Sequence, residues 1–486
     1  MKTILDLGIR KPVRPVRVVQ FGEGNFLRAF VDYMIDIANE KTDFNGSIAI
    51  VKPISFGSLE HFEKQNCLYT AILRGQENGE AVVRSRVITS VDRAVDGADT
   101  WDNLAALAAC PTVRFIVSNT TEAGIVLDEA DRMDGVPATY PGKLTKFLYD
   151  RYCALGGTAD TGVIILPVEL IENNGGKLKE CVFRLAEIWQ LPAAFVQWMQ
   201  DACVFCSTLV DRIVTGYPAA EADALCEQLG YRDELIDVGE PFGLWVIESE
   251  RDISEELPLV KAELPVIFTD NQKPYRERKV RILNGAHTSS VLSAWLCGIS
   301  IVRDMMNDPL CGQFVRRAVN EEIAPFVPLE RADVDAFAAA VFERFENPFI
   351  DHALLSIALN SVSKWKSRVL PSLKDYAAQR GTLPRLLTFS FAALLAFYSS
   401  DDLRGDELCA HRADGVEYMI RDDRPVLEFF AAHSALPSAE FADAAAGNAA
   451  FWGEDLRKIE GFAAAVTADL EAIRRDPRAA VSAALA

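Results

Sequence analysis

The first half of the chain alternates short apolar runs with amphipathic segments. The apolar, β-branched runs predict strands at Val16–Phe21, Ser47–Lys52, Val113–Ser118, Gly162–Pro167 and Leu244–Glu248. Between them, apolar positions recur every three or four residues, which predicts helices at Phe26–Asn39, Trp101–Ala109, Lys143–Ala154 and Lys177–Trp189. Short apolar strands between helices indicate a parallel sheet with helices on both faces, an α/β doubly wound architecture. The turn Glu77–Glu80 predicts an added antiparallel hairpin between Tyr69–Leu73 and Ala81–Ser90.

The pattern changes after about Asp270. Strand signals fade, and Ala-rich helical periodicity continues to Ala486, which predicts an all-α domain. We place the domains at residues 1–262 and 263–486, within a possible boundary interval from Ser254 to Lys273. The longest apolar run, Leu386–Tyr398, is shorter than the ~18 residues of a membrane span, so we expect a buried core helix there.

Charge and cysteine usage narrow the class of protein. The formal net charge is −20, which disfavours nucleic-acid binding and means that an anionic ligand needs a locally basic pocket. Ten scattered cysteines and an N-terminus without a signal-peptide pattern predict reduced thiols and a cytoplasmic location. With five histidines and no cluster of metal-ligating residues in the sequence, we expect no metal. The expected partner is therefore a small molecule, with neither nucleic acid nor membrane, and the chain a monomer or weak homo-oligomer.

The most specific N-terminal feature is a glycine turn. The strand Val16–Phe21 runs into Gly22-Glu23-Gly24, and an amphipathic helix follows. Two glycines let the backbone turn tightly and approach a pyrophosphate that the helix N-terminus attracts, as in Rossmann-like domains. Leu27 replaces the third glycine of the usual motif, and an ordinary strand-to-helix turn is the alternative. The predicted cofactor-binding residues are Phe21, Gly22, Gly24, Asn25, Phe26, Lys52, Thr121 and Glu122.

Lys52 bears on which dinucleotide is bound. It ends the second predicted strand, where an NAD site usually has an acidic residue for the ribose hydroxyls. A lysine there can instead meet a 2′-phosphate, so the residue keeps NADP open; a solvated strand end is the bland alternative. Thr121 and Glu122 follow the strand that ends at Ser118 and are expected at the C-terminal edge of the sheet, unless they belong to a simple loop.

A second polar constellation lies at Lys279, Asn284 and His287. On an α-helix Asn284 falls about 140° and His287 about 80° round from Lys279, so we expect them to share a face. Reduction of a carbonyl needs this mixture, since Lys exchanges a proton, Asn donates to an oxyanion, and His orients and polarises. A solvated helix face is the alternative.

A third pattern repeats every four residues, at His352, Ser356, Asn360, Lys364 and Arg368. On one helix these residues form a slowly winding polar line that suits the hydroxyls of a linear sugar acid. Lys364 or Arg368 would bind its carboxylate. A solvated helix face gives the same spacing.

Several segments together resemble the long-chain polyol-specific dehydrogenases, the mannitol dehydrogenase family: Gln20–Asp32, Ser118–Ile125, Phe205–Pro218, Lys273–Thr288 and Leu354–Pro371. The resemblance implies NAD(H) chemistry without a metal. It implies that Lys279 is the general acid and base, that Asn284 and His287 hold the carbonyl oxygen, and that Lys364 binds substrate. The implied substrate is a keto-hexuronate. A neutral ketose and a noncatalytic nucleotide-binding module are the competing interpretations.

The chain departs from mannitol dehydrogenases at two places. Those enzymes carry a further oxygen-binding asparagine after a central strand, where this chain has Glu169 with Asn174 a little beyond. Both are candidate substrate residues, but a glutamate donates to an oxyanion only when protonated, so proton relay is its alternative role. Ser356 replaces an arginine of the mannitol enzymes, which argues for a different substrate. The predicted substrate residues are Glu169, Asn174, His352, Asn360, Lys364 and Arg368.

Overall fold

The chain folds into two compact units. The computed structural model describes residues 1–121 and 123–486. One unit comprises Met1–Arg74 and Val82–Gln272, and the other comprises Gly75–Ala81 and Lys273–Ala486. The division after Gln272 lies ten residues beyond the boundary that we placed after Ala262, because the strand at Val266–Thr269 still pairs within the first unit.

The strands between Met1 and Gln272 are β1 (Lys2–Thr3), β2 (Val16–Phe21), β3 (Ser47–Lys52), β4 (Tyr69–Glu77), β5 (Glu80–Ile88), β6 (Val91–Asp96), β7 (Phe115–Ser118), β8 (Ile164–Pro167), β9 (Val204–Phe205), β10 (Ser207–Asp211), β11 (Val214–Gly216), β12 (Tyr231–Arg232), β13 (Asp237–Gly239), β14 (Leu244–Glu248) and β15 (Val266–Thr269). The α-helices are α1 (Asn25–Leu27), α2 (Tyr33–Lys41), α3 (Glu60–Lys64), α4 (Asp102–Ala108), α5 (Tyr140–Leu155), α6 (Asn174–Ile188), α7 (Ala193–Ala202) and α8 (Ala222–Leu229).

The central sheet is parallel and doubly wound, as predicted. Its six strands lie in the order β6-β3-β2-β7-β8-β9. Alternate residues of each strand enter two separate cores: Val18 and Val117 pack on one side, and Val19 and Ile116 on the other. Burial on both faces explains why these strands read as continuous apolar runs.

Two predicted strand regions lie outside the central sheet. β14 pairs with β10 and β15 in a separate three-stranded sheet, which corrects its expected place beside the other parallel strands. The predicted hairpin is present as β4 and β5. Its turn residues Asn78 and Gly79 both have positive φ, at 52° and 79°, the conformation that an Asn-Gly hairpin turn favours.

The second unit is mainly helical. Its α-helices are α9 (Lys273–Arg278), α10 (Gly285–Leu296), α11 (Val302–Asn307), α12 (Pro309–Arg317), α13 (Arg331–Phe345), α14 (Leu354–Ile357), α15 (Ser361–Arg368), α16 (Leu370–Arg380), α17 (Arg385–Phe397), α18 (Arg424–His433), α19 (Ser438–Ala446), α20 (Ala449–Trp452), α21 (Phe462–Arg475) and α22 (Pro477–Leu485). As predicted from its apolar run, α17 is buried, and it packs against α10 and α21. Within the described residues, no helix combines the length and apolar character that crossing a membrane demands.

The second unit also contains a small sheet, so it is not purely helical as the sequence suggested. The antiparallel strands β16 (Asp402–Arg404), β17 (Glu407–His411) and β18 (Glu417–Ile420) form it. These strands are three to five residues long and rich in charged side chains, so their apolar periodicity is weak.

Short non-α turns complete the helical structure. The 3₁₀ turns are Ile4–Leu7, Ala159–Thr161, Ala324–Phe326 and Leu456–Lys458, and π-helical segments occupy Arg28–Asp32, Lys279–Asn284 and Ala318–Ile323. π-Helical turns are rare and often mark functional sites. The first of them follows the glycine turn, and the second contains two of the predicted catalytic residues.

Candidate active site

A cleft of about 380 Å³ opens at the C-terminal edge of the central sheet. Gly22, Gly24 and Thr121 line it, as do residues that the sequence did not single out: Glu23, Pro53, Ile54, Asn119, Thr120, Ala123, Gly124, Val126, Ala138, Thr139 and Tyr140. This edge is where open α/β sheets bind their ligands. The position of the cleft agrees with a dinucleotide site.

The conformation of Gly22 explains why a glycine is needed there. Its φ is +127°, and a Cβ would lie 3.1 Å from the carbonyl oxygen of Asn119 and 3.1 Å from Cδ1 of Leu27. The turn leads into a helix that continues from Asn25 through the π-segment to Lys41. A tight backbone turn that opens a helix is the arrangement that receives a pyrophosphate.

Lys52 does not present its charge to the cleft. The side chain is only 7% exposed, and its Nζ lies 3.1 Å from Oδ2 of Asp96 and donates to the carbonyl oxygen of Ile54 at 2.9 Å. Lys52 and Asp96 are neighbours on β3 and β6. The ammonium is thus already neutralised, which removes the reason for expecting it to meet a 2′-phosphate.

Three other predicted cofactor residues have structural contacts. The ring of Phe21 is fully buried and packs 5.2 Å from the ring of Tyr140. Phe26 stacks on Phe30 at 5.0 Å, and Oδ1 of Asn25 accepts a hydrogen bond from Arg28. Their side chains therefore hold the turn and helix in place. The remaining predicted residue, Glu122, lies outside the described residues.

Glu169 is buried and holds the loop beside the cleft. Its carboxylate accepts hydrogen bonds from the backbone N–H and the hydroxyl of Thr120, at 3.0 and 2.9 Å, and from the hydroxyl of Ser118 at 3.1 Å. Burial raises the pKa of Glu169 above its usual value, although these hydrogen bonds oppose the rise. These contacts give Glu169 a positioning role, in place of the predicted contact with substrate.

Asn174 is likewise committed to the protein backbone. Its Nδ2 donates to the carbonyl oxygens of Pro167, Glu169 and Thr208, and its Oδ1 accepts from the N–H groups of Gly175 and Thr208. Both ends of the amide are satisfied, so the predicted role in substrate binding is not supported. Asn174 instead ties the end of β8 to α6 and β10.

In the second unit, a π-helical turn begins at Lys279 and ends at Asn284. A π-helix is bonded from residue i to i+5, so residues five apart lie one turn above each other. We had placed Asn284 about 140° round from Lys279 on an ideal α-helix. The π-turn corrects this and aligns the two half-buried side chains more closely than an α-helix would.

His287 follows in the first turn of α10. Its ring stacks on Phe345, with centroids 4.0 Å apart and planes 11° apart, and meets the edge of His352 at 5.6 Å. Burial, and then the positive surroundings of His352, Arg344, Arg368 and Lys364, keep the pKa of His287 well below its usual value. The imidazole is therefore neutral near pH 7, so it could hydrogen-bond to a carbonyl oxygen without carrying charge.

One ring nitrogen of His287 is available to a ligand. Nε2 is buried and has no hydrogen-bond partner among the residues that the structure describes. Unsatisfied buried polar atoms are rare and are a common mark of a functional site. A substrate oxygen would satisfy this atom.

The polar stripe is not one helix. Asn360 has a φ of 53° and precedes α15, so the helical path is interrupted between α14 and α15. Asn360 itself is exposed. The structure still brings His352, Lys364 and Arg368 into the electrostatic surroundings of His287. Burial lowers the pKa of Lys364, and the nearby Arg368 adds to this. The fold thus assembles a cationic cluster from non-contiguous segments.

Sequence reasoning missed residues in both units. Arg344 and Phe345, at the end of α13, contribute to the surroundings of His287, and no local motif marks them. Tyr140 lines the cleft because α5 begins there, earlier than predicted. The cap Thr139, which accepts from the N–H of Gly142 at 3.0 Å, and Pro141 in the first turn are the signal that would have located this start.

Comparison with known proteins identifies the family. Residues 16–261 match the mannitol dehydrogenase Rossmann domain, and residues 271–474 match the mannitol dehydrogenase C-terminal domain. The chain belongs to the mannitol dehydrogenase family. The predicted family and fold class are thereby confirmed.

Relatives of similar length share almost half of the sequence. The altronate oxidoreductase of Yersinia enterocolitica serotype O:8 is 46% identical and covers 94% of each chain. The altronate oxidoreductase of Pectobacterium atrosepticum is 46% identical and covers 96% of each chain. These matches extend over both units.

Solved structures share the fold at lower identity. The mannitol 2-dehydrogenase of Pseudomonas fluorescens, solved as a ternary complex with NAD and D-mannitol, has a TM-score of 0.67 at 21% identity and covers 100% of this chain and 99% of its own. A D-sorbitol dehydrogenase in substrate-free form has a TM-score of 0.78 at 20% identity, with 99% of this chain and 100% of its own covered.

Proposed function

We propose that the protein is an NAD-dependent oxidoreductase that interconverts D-altronate and D-tagaturonate. Two relatives that match over nearly their whole length are altronate oxidoreductases. The observation that carries the substrate class is the cationic cluster around His287 in a chain of net charge −20. An acidic protein repels an anionic substrate unless a local group of cations reverses the field.

The cleft of the first unit suits the dinucleotide. Gly22 leaves room for close approach of a pyrophosphate, and the helix from Asn25 to Lys41 points its N-terminus there. When bound, NAD(H) supplies or accepts the hydride. Because Lys52 is paired with Asp96, we expect NADH to be preferred over NADPH.

Lys279, Asn284 and His287 handle the oxygen of the substrate. In the oxidation of altronate, the reacting carbon gives up a hydride and its hydroxyl gives up a proton to Lys279, so that a carbonyl forms. In the reverse direction Lys279 returns the proton to the forming alkoxide. The Asn284 amide and the neutral His287 ring hydrogen-bond to the same oxygen and stabilise its developing charge.

Lys364 and Arg368 are proposed to bind the carboxylate. Both residues belong to α15 and lie near His287. Nζ of Lys364 donates to the carbonyl oxygen of Ile357 at 3.0 Å. Hydrogen bonds between a cationic side chain and a carboxylate are stronger than neutral hydrogen bonds, and an arginine can make two of them at once. A sugar acid is therefore favoured over a neutral ketose.

The test compares NADH oxidation by the purified protein with tagaturonate, fructuronate and fructose at equal concentrations. The proposal expects the highest kcat/KM with tagaturonate. Higher efficiency with fructuronate would transfer the assignment to that acid, and higher efficiency with fructose would overturn the hexuronate assignment. Tight NADH binding without turnover of any of the three would instead favour a noncatalytic nucleotide-binding module.

A further inference from the structure

The outer face of the small sheet in the second unit gathers four potential metal ligands. Cys409 and His411 are two residues apart on β17 and therefore point to the same face. Asp402 on β16 is the cross-strand neighbour of Cys409, and Glu417 on β18 is that of His411. The alternate residues Leu408 and Ala410 point to the opposite face and are buried; Cys409 is buried too, whereas His411 and Glu417 are exposed. We call Asp402, Cys409, His411 and Glu417 the β17 donor cluster.

The donor atoms of this cluster are close together. The ligand atoms of Cys409, His411 and Glu417 all lie within 4.8 Å of one another. Nε2 of His411 is 3.6 Å from Oε2 of Glu417. Ligands about 2.0–2.3 Å from a tetrahedral zinc stand roughly 3.3–3.8 Å apart, so small rotations of the exposed His411 and Glu417 side chains would bring them to the buried Cys409 thiol.

We propose that the β17 donor cluster binds a divalent cation of the zinc class. A thiolate, an imidazole and a carboxylate are the ligands that Zn²⁺ takes, whereas Mg²⁺ and Ca²⁺ take oxygen ligands and have no use for the thiol. Coordination requires the thiolate, so the thiol proton of Cys409 leaves to solvent on binding. The cation would link all three strands of the sheet.

Arg404 occupies the position of a competing cation. Its Nη2 lies 2.7 Å from Oδ2 of Asp402, and its Nη1 lies 3.3 Å from Oε2 of Glu417. The side chain is 49% exposed, so it can turn into solvent. Metal binding must displace this guanidinium from both carboxylates. If these residues formed only a surface salt-bridge network, removing Arg404 would not raise the affinity for a metal ion. The effect of Arg404 on metal affinity therefore tests the proposal.

The test titrates the full-length protein with Co²⁺, which gives a near-ultraviolet absorption band when a thiolate coordinates it. A Cys153→Ser background removes an exposed thiol that would bind cobalt nonspecifically. The proposal expects a band that saturates at one equivalent and is displaced by Zn²⁺. Cys409→Ala should abolish the band, and His411→Ala should weaken Zn²⁺ affinity by at least roughly tenfold, since even outer-sphere changes cost 10–100-fold.

Two further variants separate a metal site from a damaged sheet. Arg404→Ala removes the competitor without removing a ligand, so Zn²⁺ affinity measured by calorimetry should increase. His61→Ala removes an exposed histidine of the first unit and should leave affinity unchanged. A cobalt band that persists in Cys409→Ala, or an affinity that Arg404→Ala leaves unchanged or weakens, would overturn the proposal.

Discussion

The three residues proposed to contact the reacting oxygen differ in the charge and the protons that they can offer. His287 is held neutral by burial and by neighbouring cations, so it has no excess proton to give near pH 7. The amide of Asn284 has no titratable proton. Of these three residues, Lys279 is therefore the one that we propose as the group that exchanges a proton with substrate.

Replacing Lys279 by alanine should nearly abolish turnover and leave NADH binding intact. Loss of general acid–base catalysis costs about 10²–10⁴-fold in kcat. The residues proposed to bind the dinucleotide lie in the first unit, so NADH affinity, measured by fluorescence, should stay within about twofold of the wild type. Lys458→Ala, which removes an exposed lysine of the second unit, where Lys279 also lies, serves as control. Retention of more than about a tenth of wild-type turnover would refute the assignment.

Replacing Lys364 by methionine tests recognition of the carboxylate. A charge-assisted hydrogen bond contributes roughly 1.5–3 kcal/mol, so kcat/KM with tagaturonate should fall about ten- to over a hundredfold. The loss with fructose should be smaller, because fructose has no carboxylate to leave unpaired. Lys366→Met on the same helix, where the lysine is exposed, should change neither value appreciably. Equal losses on both substrates would assign Lys364 to hydroxyl binding or to packing.

Single residues show where sequence reasoning reaches its limit. Gly22 could be identified from the strand before it and the helix after it, because a tight turn with positive φ between such elements favours glycine. The sequence left the role of Lys52 open, because its partner Asp96 is distant in sequence, on β6. It could not show that the Asn174 amide is committed to the backbone, because one of its partners, Thr208, lies on β10. The sequence alone does not show whether the hydrogen bonds of a polar side chain are made by the protein or by a ligand.

At the scale of elements, periodicity located β2 and β3 to the residue and the buried helix α17 closely. Those elements are buried on every side, so their apolar pattern is strong. The π-turn at Lys279–Asn284 and the break at Asn360 were not predicted, since neither leaves a periodic apolar pattern in the sequence. The candidate site therefore includes irregular turns that a regular repeat cannot predict.

At Gly285, α10 lies close to the end of α15. A Cβ on Gly285 would lie 3.2 Å from the carbonyl oxygen of Arg368, the last residue of α15. Such a contact forces a shift of a few tenths of an ångström. The spacing between α10 and α15 therefore depends on a glycine at this position. This spacing matters because α10 carries His287 and α15 carries Lys364 and Arg368.

Gly285→Ala should therefore reduce activity more than stability. Alanine gains about 1 kcal/mol of helix propensity, which offsets part of an overpacking cost of about 1–3 kcal/mol. Displacement of α15 should lower kcat/KM with tagaturonate roughly tenfold, because small misplacements of binding groups are costly. Steady-state kinetics and thermal melting measure the two effects. A variant that melts higher and keeps full kcat/KM would show that the close approach does not constrain the site.

At the scale of the whole molecule, charge and burial act against each other. The net charge of −20 favours solubility, while the cations proposed to bind a sugar acid are concentrated near His287. Another internal charge group joins the π-helical segment Arg28–Asp32 to β13. There Asp32 and Asp237 are buried around Arg28, whose Nε is 3.9 Å from Oδ2 of Asp237, while the Tyr69 hydroxyl donates to Asp32 at 2.7 Å.

This group makes stability depend on pH in a direction opposite to that of ordinary paired carboxylates. Burial raises the pKa of Asp32 and that of Asp237 to about 7, from the usual 3.8. Between pH 4 and 7 the folded state binds more protons than the unfolded state. The contribution of these groups to the free energy of unfolding therefore falls as pH rises through that window and stays low above it.

Asp32→Asn should remove most of this dependence. At pH 8 the variant no longer buries two carboxylate charges around one arginine, so it should be more stable than the wild type by about 2–4 kcal/mol, the value of a pKa shift of this size. At pH 5 the wild-type carboxyl is protonated in the folded state but ionised in the unfolded state, so the gain should fall to less than half of its value at pH 8, and it should vanish only below about pH 4. Melting temperatures at both pH values measure the difference, with the exposed Asp43→Asn as control. A gain that is equal at pH 5 and pH 8, or a loss at pH 8, would show that Asp32 stays ionised in the fold and that its charge is needed beside Arg28.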